Sequence, residues 1–242
     1  MKNKKTFLIY VLVVLFISSL FYLSDKESLG FNGEEKTTTT TKQEYISDES
    51  IPDYDGKSYI VLNDNKPSFS PSSYDYTESF ELYSDLDNLG RCGVAYALLG
   101  KDLMPTEERT GIGSVKPSGW HTIKYDFIKG KYLYNRCHLI GYQLAGENAN
   151  EKNLITCTRF MNTESMVTFE NKVAKYIKET NNHVLYRVTP VFEGNNLVAK
   201  GVQMEASSLE DKCESICFNI FVYNVQDGID INYENGESKL KE

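Results

Sequence analysis

The amino-acid sequence predicts an α+β domain built around a central antiparallel sheet. Phe169, Val173 and Ile177 recur every four residues within the stretch 160–180, a spacing typical of a helix with one buried face. A short aromatic and β-branched segment at 131–140 precedes this helix and is predicted to be a strand. Three β-like segments follow the helix, the first two joined by the turn-forming run EGNN, at 183–192, 197–206 and 216–225. A strand, a loop, a helix and then a run of strands is the order expected of an α+β fold.

The first 24 residues form a predicted targeting segment. The basic start MKNKK is followed by 17 residues without a charge, at 7–23. This length is long for the apolar part of a signal peptide and at the lower limit for a membrane-spanning helix. Residues 1–24 are therefore predicted to be a signal peptide or a signal anchor, and the sequence leaves both open. Positive charge before the apolar run places the rest of the chain outside the cytoplasm, either secreted or anchored to the outer face of the cell membrane.

The stretch 25–55 is predicted to be a disordered, acidic, threonine-rich tether. It contains five consecutive threonines, at 37–41, and nine acidic residues against three lysines. A segment with so few apolar side chains cannot bury enough surface to order itself. The folded domain is therefore predicted to cover 56–242.

Charge is distributed unevenly along the chain. The formal net charge is −8, and most of it comes from the tether. The stretch 116–178, in contrast, contains ten lysines and arginines and five acidic residues. A basic surface on an acidic chain favours binding of a polyanion, although lysines along a helix are often only a solvated face.

The five cysteines do not suggest a zinc site. They lie at 92, 137, 157, 213 and 217, without the paired CxxC spacing of structural zinc ligands. Because five is odd, an exported protein would keep at least one free thiol. Cys213 and Cys217 could form a disulfide across a tight turn, or remain small semi-buried thiols.

A group of residues suited to phosphodiester cleavage surrounds the sequence YNRCHLI at 134–140. Arg136 precedes His138 by two positions, so on a strand both side chains point to the same face. Asn162 follows 24 residues later, at the start of the predicted helix, and Glu170 lies 8 residues further, about two turns along it. The imidazole of His138 can deprotonate water, and oxygen ligands can hold a hard divalent cation against the phosphate.

The stretch YNRCHLIGYQLAGENANEKNLITCTRFMN, followed by FENKVA, resembles the DNA/RNA non-specific endonuclease family of the ββα-metal, or His-Me finger, type. Within that family it is similar to the branch of exported nucleases of DNA uptake and secreted streptodornase-like DNases of Gram-positive bacteria. The resemblance covers about 86–233. It implies a central antiparallel sheet carrying the ββα-metal motif, and Mg²⁺-dependent, non-specific cleavage of DNA and also of RNA, with Mn²⁺ able to replace Mg²⁺.

The resemblance also implies a role for each matching residue. His138 takes the place of the general base and Asn162 that of the metal ligand. Arg136 matches an arginine near the phosphate, and Glu170 matches a glutamate that helps to hold the water shell of the metal. Asn153 matches an asparagine that supports the site.

Two positions depart from the family hallmark Asp-Arg-Gly-His. Asn135 stands in place of the aspartate. Because asparagine also has a hydrogen-bonding side chain, we expect Asn135 to support the site. Cys137 stands in place of the glycine and is expected to add a side chain close to the site. Arg159, one of the cations of the basic stretch, is predicted to bind substrate. His121 is expected to be structural.

Two alternatives to a metal-dependent nuclease are a cysteine hydrolase and a DNA-binding protein without strong catalytic activity. A hydrolase with Cys137 as nucleophile and His138 as base conflicts with strand geometry, since neighbouring residues point to opposite faces. A catalytically weak or inactive DNA-binding or uptake protein at the cell surface remains open, because positions 135 and 137 both depart from the hallmark. The predicted partners are DNA, RNA and, if the targeting segment stays uncleaved, the membrane; the sequence identifies no protein partner.

Overall fold

The structure is a computed structural model that describes residues 51–242. The predicted targeting segment and most of the predicted tether lie outside the described residues. Between 51 and 242, no helix is long and apolar enough to cross a membrane. Ile51 is only 4% exposed and packs with Tyr54 on Phe221 and Tyr223. The packed chain therefore includes these two residues, which the sequence had assigned to the tether.

Ten strands and two α-helices form the described chain. The strands, in chain order, are β1 (Tyr59–Val61), β2 (Phe80–Tyr83), β3 (Ala95–Leu99), β4 (Tyr134–His138), β5 (Leu154–Thr158), β6 (Val184–Val191), β7 (Gly201–Ser208), β8 (Cys217–Tyr223), β9 (Ile229–Ile231) and β10 (Ser238–Leu240). The helices are the single turn α1 (Tyr142–Ala145) and the long α2 (Val167–Thr180). Short 3₁₀ turns lie at Asn63–Asn65, Pro71–Asp75 and Glu151–Asn153.

Six strands make one antiparallel sheet with the order β1-β8-β7-β6-β3-β2. The three β-like segments predicted after the helix are its central strands β6, β7 and β8. The second of them begins at 201 rather than 197, so the loop after β6 is longer than the predicted hairpin turn. The first position of β7, Gly201, requires glycine, because a Cβ there would collide with the backbone of Val222.

Helix α2 covers one face of this sheet. Phe169, Val173 and Ile177, which define its predicted apolar face, all belong to the main hydrophobic core. Phe169 also contacts the rings of Tyr59 and Phe218, at centroid distances of 5.0 and 5.1 Å. Each such side chain, when fully buried, contributes about 1.5–3 kcal/mol to folding. The predicted helix and its buried face are present.

Strands β4 and β5 pair with each other in a separate two-stranded sheet. Tyr134 lies opposite Thr158, and His138 lies opposite Leu154. Helical backbone begins at Arg159, directly after β5, and continues through a π-helical segment (Met161–Met166) into α2. Two antiparallel strands followed by a helix are the ββα arrangement that the family resemblance implied.

The cysteines divide into two disulfides and one thiol. Cys137 and Cys157 join β4 to β5 with their Cα atoms 5.9 Å apart, and Cys213 and Cys217 bridge a turn with a Cα distance of 4.7 Å. Cys92 is free and buried, and its thiol donates to the carbonyl oxygen of Leu154 at 3.2 Å. Burial raises the pKa of the Cys92 thiol to about 12, so it stays protonated and unreactive.

One ion pair is enclosed between the central strands. Arg187 of β6 lies opposite Glu205 of β7, and the two side chains are 4% and 1% exposed. The Arg187 Nε donates to Glu205 Oε2 at 2.7 Å. Ser68 donates to the other carboxylate oxygen at 2.8 Å from both its backbone N–H and its hydroxyl. The guanidinium Cζ lies 5.0 Å from the centroid of the Phe69 ring. Every charge in this group is compensated within the protein.

Candidate active site

His138 ends strand β4 and is almost completely buried, with 6% of its surface exposed. Its Nε2 lies 2.8 Å from the carbonyl oxygen of Asn148, which can only accept, so Nε2 carries the proton. Its Nδ1 faces the Arg109 guanidinium, with Nη2 at 3.3 Å. Burial lowers the pKa of His138; the bond to Asn148 opposes this shift, and the charge of Arg109 reinforces it. The imidazole is therefore neutral at neutral pH, with Nδ1 able to accept a proton.

Asn153 fixes the chain just beyond His138. Its side chain accepts from the backbone N–H of Ile140 at 2.9 Å and donates to the carbonyl oxygen of the same residue at 3.0 Å. Its own carbonyl oxygen accepts from the N–H of Leu139 at 2.9 Å. Because Asn153 is fully buried, these bonds do not compete with water. This geometry suits the supporting role that the resemblance implied for Asn153.

Glu170 lies against the turn that follows β4. A Cβ on Gly141 would stand 2.8 Å from Glu170 Oε2, so the missing side chain at 141 makes room for the carboxylate. Exclusion of water raises the pKa of Glu170 to about 7, while a hydrogen bond from Gln143 and the charge of Arg109 act in the opposite direction. Arg109 therefore influences both His138 and Glu170 electrostatically.

A basic cleft of about 500 Å³ shares Arg109 with His138, whereas His138, Asn153 and Glu170 are not themselves among the residues that line it. Three of its lining side chains are arginines, and none of the described residues that line it is acidic. The lining residues are Arg109, Ile112, Trp120, Thr122, Tyr132, Tyr134, Asn135, Arg136, Arg159 and Asn162. An uncompensated cluster of guanidinium groups is suited to a polyanion. Of the seven predicted site residues, the cleft brings four together: Asn135, Arg136, Arg159 and Asn162.

Asn162 reaches the cleft from the π-helical segment before α2. Such segments, whose hydrogen bonds run from i to i+5, are rare and often occur at functional sites. Thr158 anchors the start of this segment by accepting from the backbone N–H of Met161 at 3.1 Å. The amide of Asn162 is thereby placed on the surface of the cleft.

Arg136 is held by neutral groups. Its Nη2 donates to the carbonyl oxygen of Gly113 at 3.0 Å, and its Nε donates to that of Val115. Its Cζ lies 3.9 Å from the centroid of the Trp120 ring. These contacts orient the guanidinium without neutralising its charge.

Arg109 was not identified from the sequence. It lies in a loop rich in Gly, Pro and Ser, where periodicity carries no information, 29 residues before His138. Two hydrogen bonds fix this loop: Tyr142 donates to the carbonyl oxygen of Glu107 at 2.7 Å, and Thr110 N–H donates to Asn148 Oδ1 at 3.1 Å. Asn148 thus binds both the loop and His138.

Cys137, which directly precedes His138, has its side chain fully buried in the main core and bonded to Cys157. The same bond leaves no free thiol for the cysteine nucleophile considered above. The Nε2 of His121 donates to the carbonyl oxygen of Asn235 at 2.9 Å, which is a structural contact as expected.

The donors around the cleft fit a hard cation better than a soft one. Across residues 51–242, no three His, Cys, Asp or Glu side chains form a cluster that could hold a metal. The cleft offers instead the amide oxygen of Asn162, while the carboxylate of Glu170 lies in the first turn of α2 and does not line the cleft. Mg²⁺ suits such a sparse set of oxygen ligands, because it keeps several of its own water molecules.

Comparison with known proteins identifies the family. Residues 71–209, more than half of the chain, match the DNA/RNA non-specific endonuclease family. The chain belongs to this family, which confirms the resemblance seen in the sequence.

Individual relatives share the fold. The chain is 27% identical over 202 residues to a deoxyribonuclease of Streptococcus dysgalactiae subsp. equisimilis, covering 66% of this chain and 61% of that protein, so it spans about three fifths of that relative. It resembles the crystal structure of NucA from Streptococcus agalactiae with magnesium bound, with a TM-score of 0.66, 26% identity and coverage of 75% of this chain and 86% of NucA. The Sda1 nuclease with bound zinc gives a TM-score of 0.62 at 24% identity, covering 76% and 97%. These similarities confirm the predicted α+β class.

Proposed function

We propose that this protein is an exported, metal-dependent endonuclease that hydrolyses phosphodiester bonds of DNA, and of RNA, with little sequence preference. The observation that carries the proposal is a neutral histidine, with Nδ1 deprotonated, next to a cleft with three arginines and an amide oxygen. The family, the streptococcal deoxyribonuclease and the NucA structure support it.

His138 is the proposed general base. The Asn148 carbonyl oxygen holds the Nε2 proton and fixes the ring, so Nδ1 is the atom that takes a proton from the attacking water. Burial keeps the imidazole neutral and thus competent over the physiological pH range.

Asn162 would hold a divalent cation through its amide oxygen, and Glu170 would help to hold the water shell of that cation. When bound, the cation supplies positive charge to the phosphate, which lowers the energy of the transition state. Mg²⁺ is the proposed ion, with Mn²⁺ able to replace it. The magnesium in NucA supports this choice, while the zinc in Sda1 shows that related folds accept other divalent metals.

The arginines bind and orient the substrate. Arg136 keeps donors beyond those used by Gly113 and Val115, and it presents them to a phosphate with its plane fixed by Trp120. Arg159 binds a second position along the strand. Arg109 lies between His138 and the cleft, where it can contact the phosphate under attack. Asn135 lines the same surface as a neutral hydrogen-bonding group.

The proposed location is outside the cytoplasm. The basic start and the uncharged stretch 7–23 support export, and two disulfides are typical of an oxidising compartment. The same apolar stretch would anchor the protein to the outer face of the membrane if it stays uncleaved.

Alanine variants of His138 and Asn162 test the mechanism. Supercoiled plasmid and a structured RNA are incubated with the purified protein in Mg²⁺, Mn²⁺ or EDTA. We expect His138→Ala to lower the rate about 10²–10⁴-fold while nucleic-acid binding persists. Asn162→Ala should raise the metal concentration needed for half-maximal activity.

His183→Ala is the matched control, because His183 pairs with Glu210 and is not among the residues that line the cleft. If His138→Ala and Asn162→Ala both cut at the parental rate in saturating Mg²⁺, the site lies elsewhere. Binding without nicking by the parental protein would instead favour the inactive DNA-binding alternative.

A further inference from the structure

Tyr132 exposes an aromatic ring within the basic cleft. The residue is 44% exposed and lines the cleft together with Arg159 and Asn162. A large aromatic side chain left open to water among cations is suited to a ligand that is both planar and anionic. A nucleotide, with its base and its phosphate, has both properties.

The backbone that carries the Tyr132 ring is fixed before any ligand binds. Tyr132 and Lys124 form an isolated antiparallel bridge, and the Lys124 Nζ lies 4.7 Å from the ring centroid. The backbone N–H of Tyr132 also donates to the carbonyl oxygen of Gly130 at 2.9 Å. Only the side-chain torsions of Tyr132 are then left to be ordered when a base stacks on the ring, which keeps the entropic cost of binding low.

A cation lies next to the same turn. A Cβ on Gly130 would stand 3.3 Å from the Arg159 Cζ, so the turn that carries Tyr132 packs directly against this guanidinium. The backbone N–H of Arg159 donates to the carbonyl oxygen of Leu133 at 2.7 Å, which ties the two segments together. The ring of Tyr132 and the charge of Arg159 are therefore presented as one unit.

We propose that Tyr132 and Arg159 form a subsite for one nucleotide whose base is unpaired. The base stacks on the ring of Tyr132, and its phosphate is bound by Arg159. In a duplex the bases are stacked on one another and unable to cover the ring, so this subsite favours single-stranded nucleic acid. The inference rests on the proposed function, in that the cleft must bind nucleic acid.

Binding without cleavage tests the subsite directly. Trp120 is the single tryptophan of the chain and lines the same cleft, so its fluorescence reports occupancy. The protein is titrated in EDTA with oligothymidylate and with an abasic oligonucleotide of equal length, which has the phosphates but no bases. We expect oligothymidylate to bind more tightly by about 5- to 150-fold, the range for stacking of one base.

Three variants separate stacking from other effects. Tyr132→Ala should remove most of the preference for oligothymidylate, and Tyr132→Phe should keep it. Phe127→Ala is the matched control, since Phe127 is 57% exposed in the same segment and is not among the residues that line the cleft. A Tyr132→Ala variant with the parental preference would overturn the proposal, as would an equal loss in Phe127→Ala.

A cleavage assay in Mg²⁺ distinguishes this inference from the proposed function. Tyr132→Ala should lose more kcat/KM on a single-stranded substrate than on the duplex of the same sequence. Equal losses on both substrates, in a parental protein that cuts DNA, would refute the subsite and leave the nuclease function standing. A parental protein that neither binds nor cuts nucleic acid would refute both.

Discussion

Arg187 in the large sheet and Arg136 in the cleft differ in their electrostatic surroundings. Arg187 is 4% exposed and is directly paired with Glu205, which is itself held by Ser68. Arg136 is oriented just as firmly, but by the carbonyl oxygens of Gly113 and Val115 and by the face of Trp120. Both guanidinium groups stack on an aromatic ring, and only one is neutralised.

This difference separates a structural charge from a functional one. A buried charge with its counter-charge is satisfied and has nothing left to offer a ligand. A charge fixed by neutral acceptors keeps its electrostatic potential, so an incoming phosphate supplies the missing counter-charge. The cleft repeats the second pattern, since none of its described lining residues is acidic.

The largest effect is expected on stability, from Arg187→Met. This change leaves the Glu205 carboxylate buried without a partner, which costs about 3–5 kcal/mol in the free energy of unfolding. Urea unfolding followed by circular dichroism measures the loss. The double variant Arg187→Met with Glu205→Gln should recover part of it; a single variant as stable as the parent would show that this pair does not stabilise the sheet.

For Arg136→Met we expect a clear effect on DNA binding and only a small effect on stability. We expect binding of duplex DNA to weaken about tenfold, and the slope of log Kd against log salt to fall by about one, because one phosphate contact is lost. The free energy of unfolding should change by only ~1 kcal/mol, since the lost bonds are to neutral carbonyls at a half-buried site. Arg136→Lys should not restore binding. A large loss of stability with unchanged binding would contradict the comparison.

A smaller effect is expected on the pH profile of cleavage. Glu170, whose pKa is raised to about 7, should set the first decline of activity on the acidic side, while burial lowers the pKa of His138, so that protonation of the histidine lowers activity only below its ordinary pKa of about 6.5. Arg109→Met removes a charge that lowers both pKa values, so the acidic limb of the profile should move to higher pH. An unshifted limb would show that Arg109 does not act on the histidine.

The lowered pKa of His138 also makes the free energy of unfolding depend on pH. Because the pKa of His138 is lower in the folded than in the unfolded chain, its contribution to stability is complete above the unfolded pKa. That contribution is lost as the pH falls through the folded value. His138→Ala should therefore reduce the acid sensitivity of the urea midpoint below pH 6.5, with His183→Ala again as the control.

The sequence predicted those elements whose residues repeat locally. The four-residue spacing of Phe169, Val173 and Ile177 identifies α2, and apolar β-branched segments identify β6, β7 and β8. The roles of His138 and Asn162 could be proposed because the residues of the family motif lie close together in the sequence. Their assignment remains a prediction that the variants above test.

Features that depend on distant contacts could not be predicted. Arg109 joins His138 through a loop that carries no periodic pattern. The bond between Cys137 and Cys157 depends on the register of β4 against β5, which no local sequence signal specifies. The close approach of Gly141 to Glu170 likewise depends on how α2 packs on the turn after β4.

The Cys137–Cys157 bond affects how samples of this protein must be prepared. It closes a loop with a sequence separation of 20 and is worth about 3 kcal/mol through the entropy of the unfolded chain. It also connects the strand that ends at His138 to the strand that leads to Asn162. A batch purified from a reducing cytoplasm would contain five thiols in place of two bonds and one thiol. The mass of the intact protein distinguishes these two forms, and batches of different oxidation history should not be pooled when rates are compared.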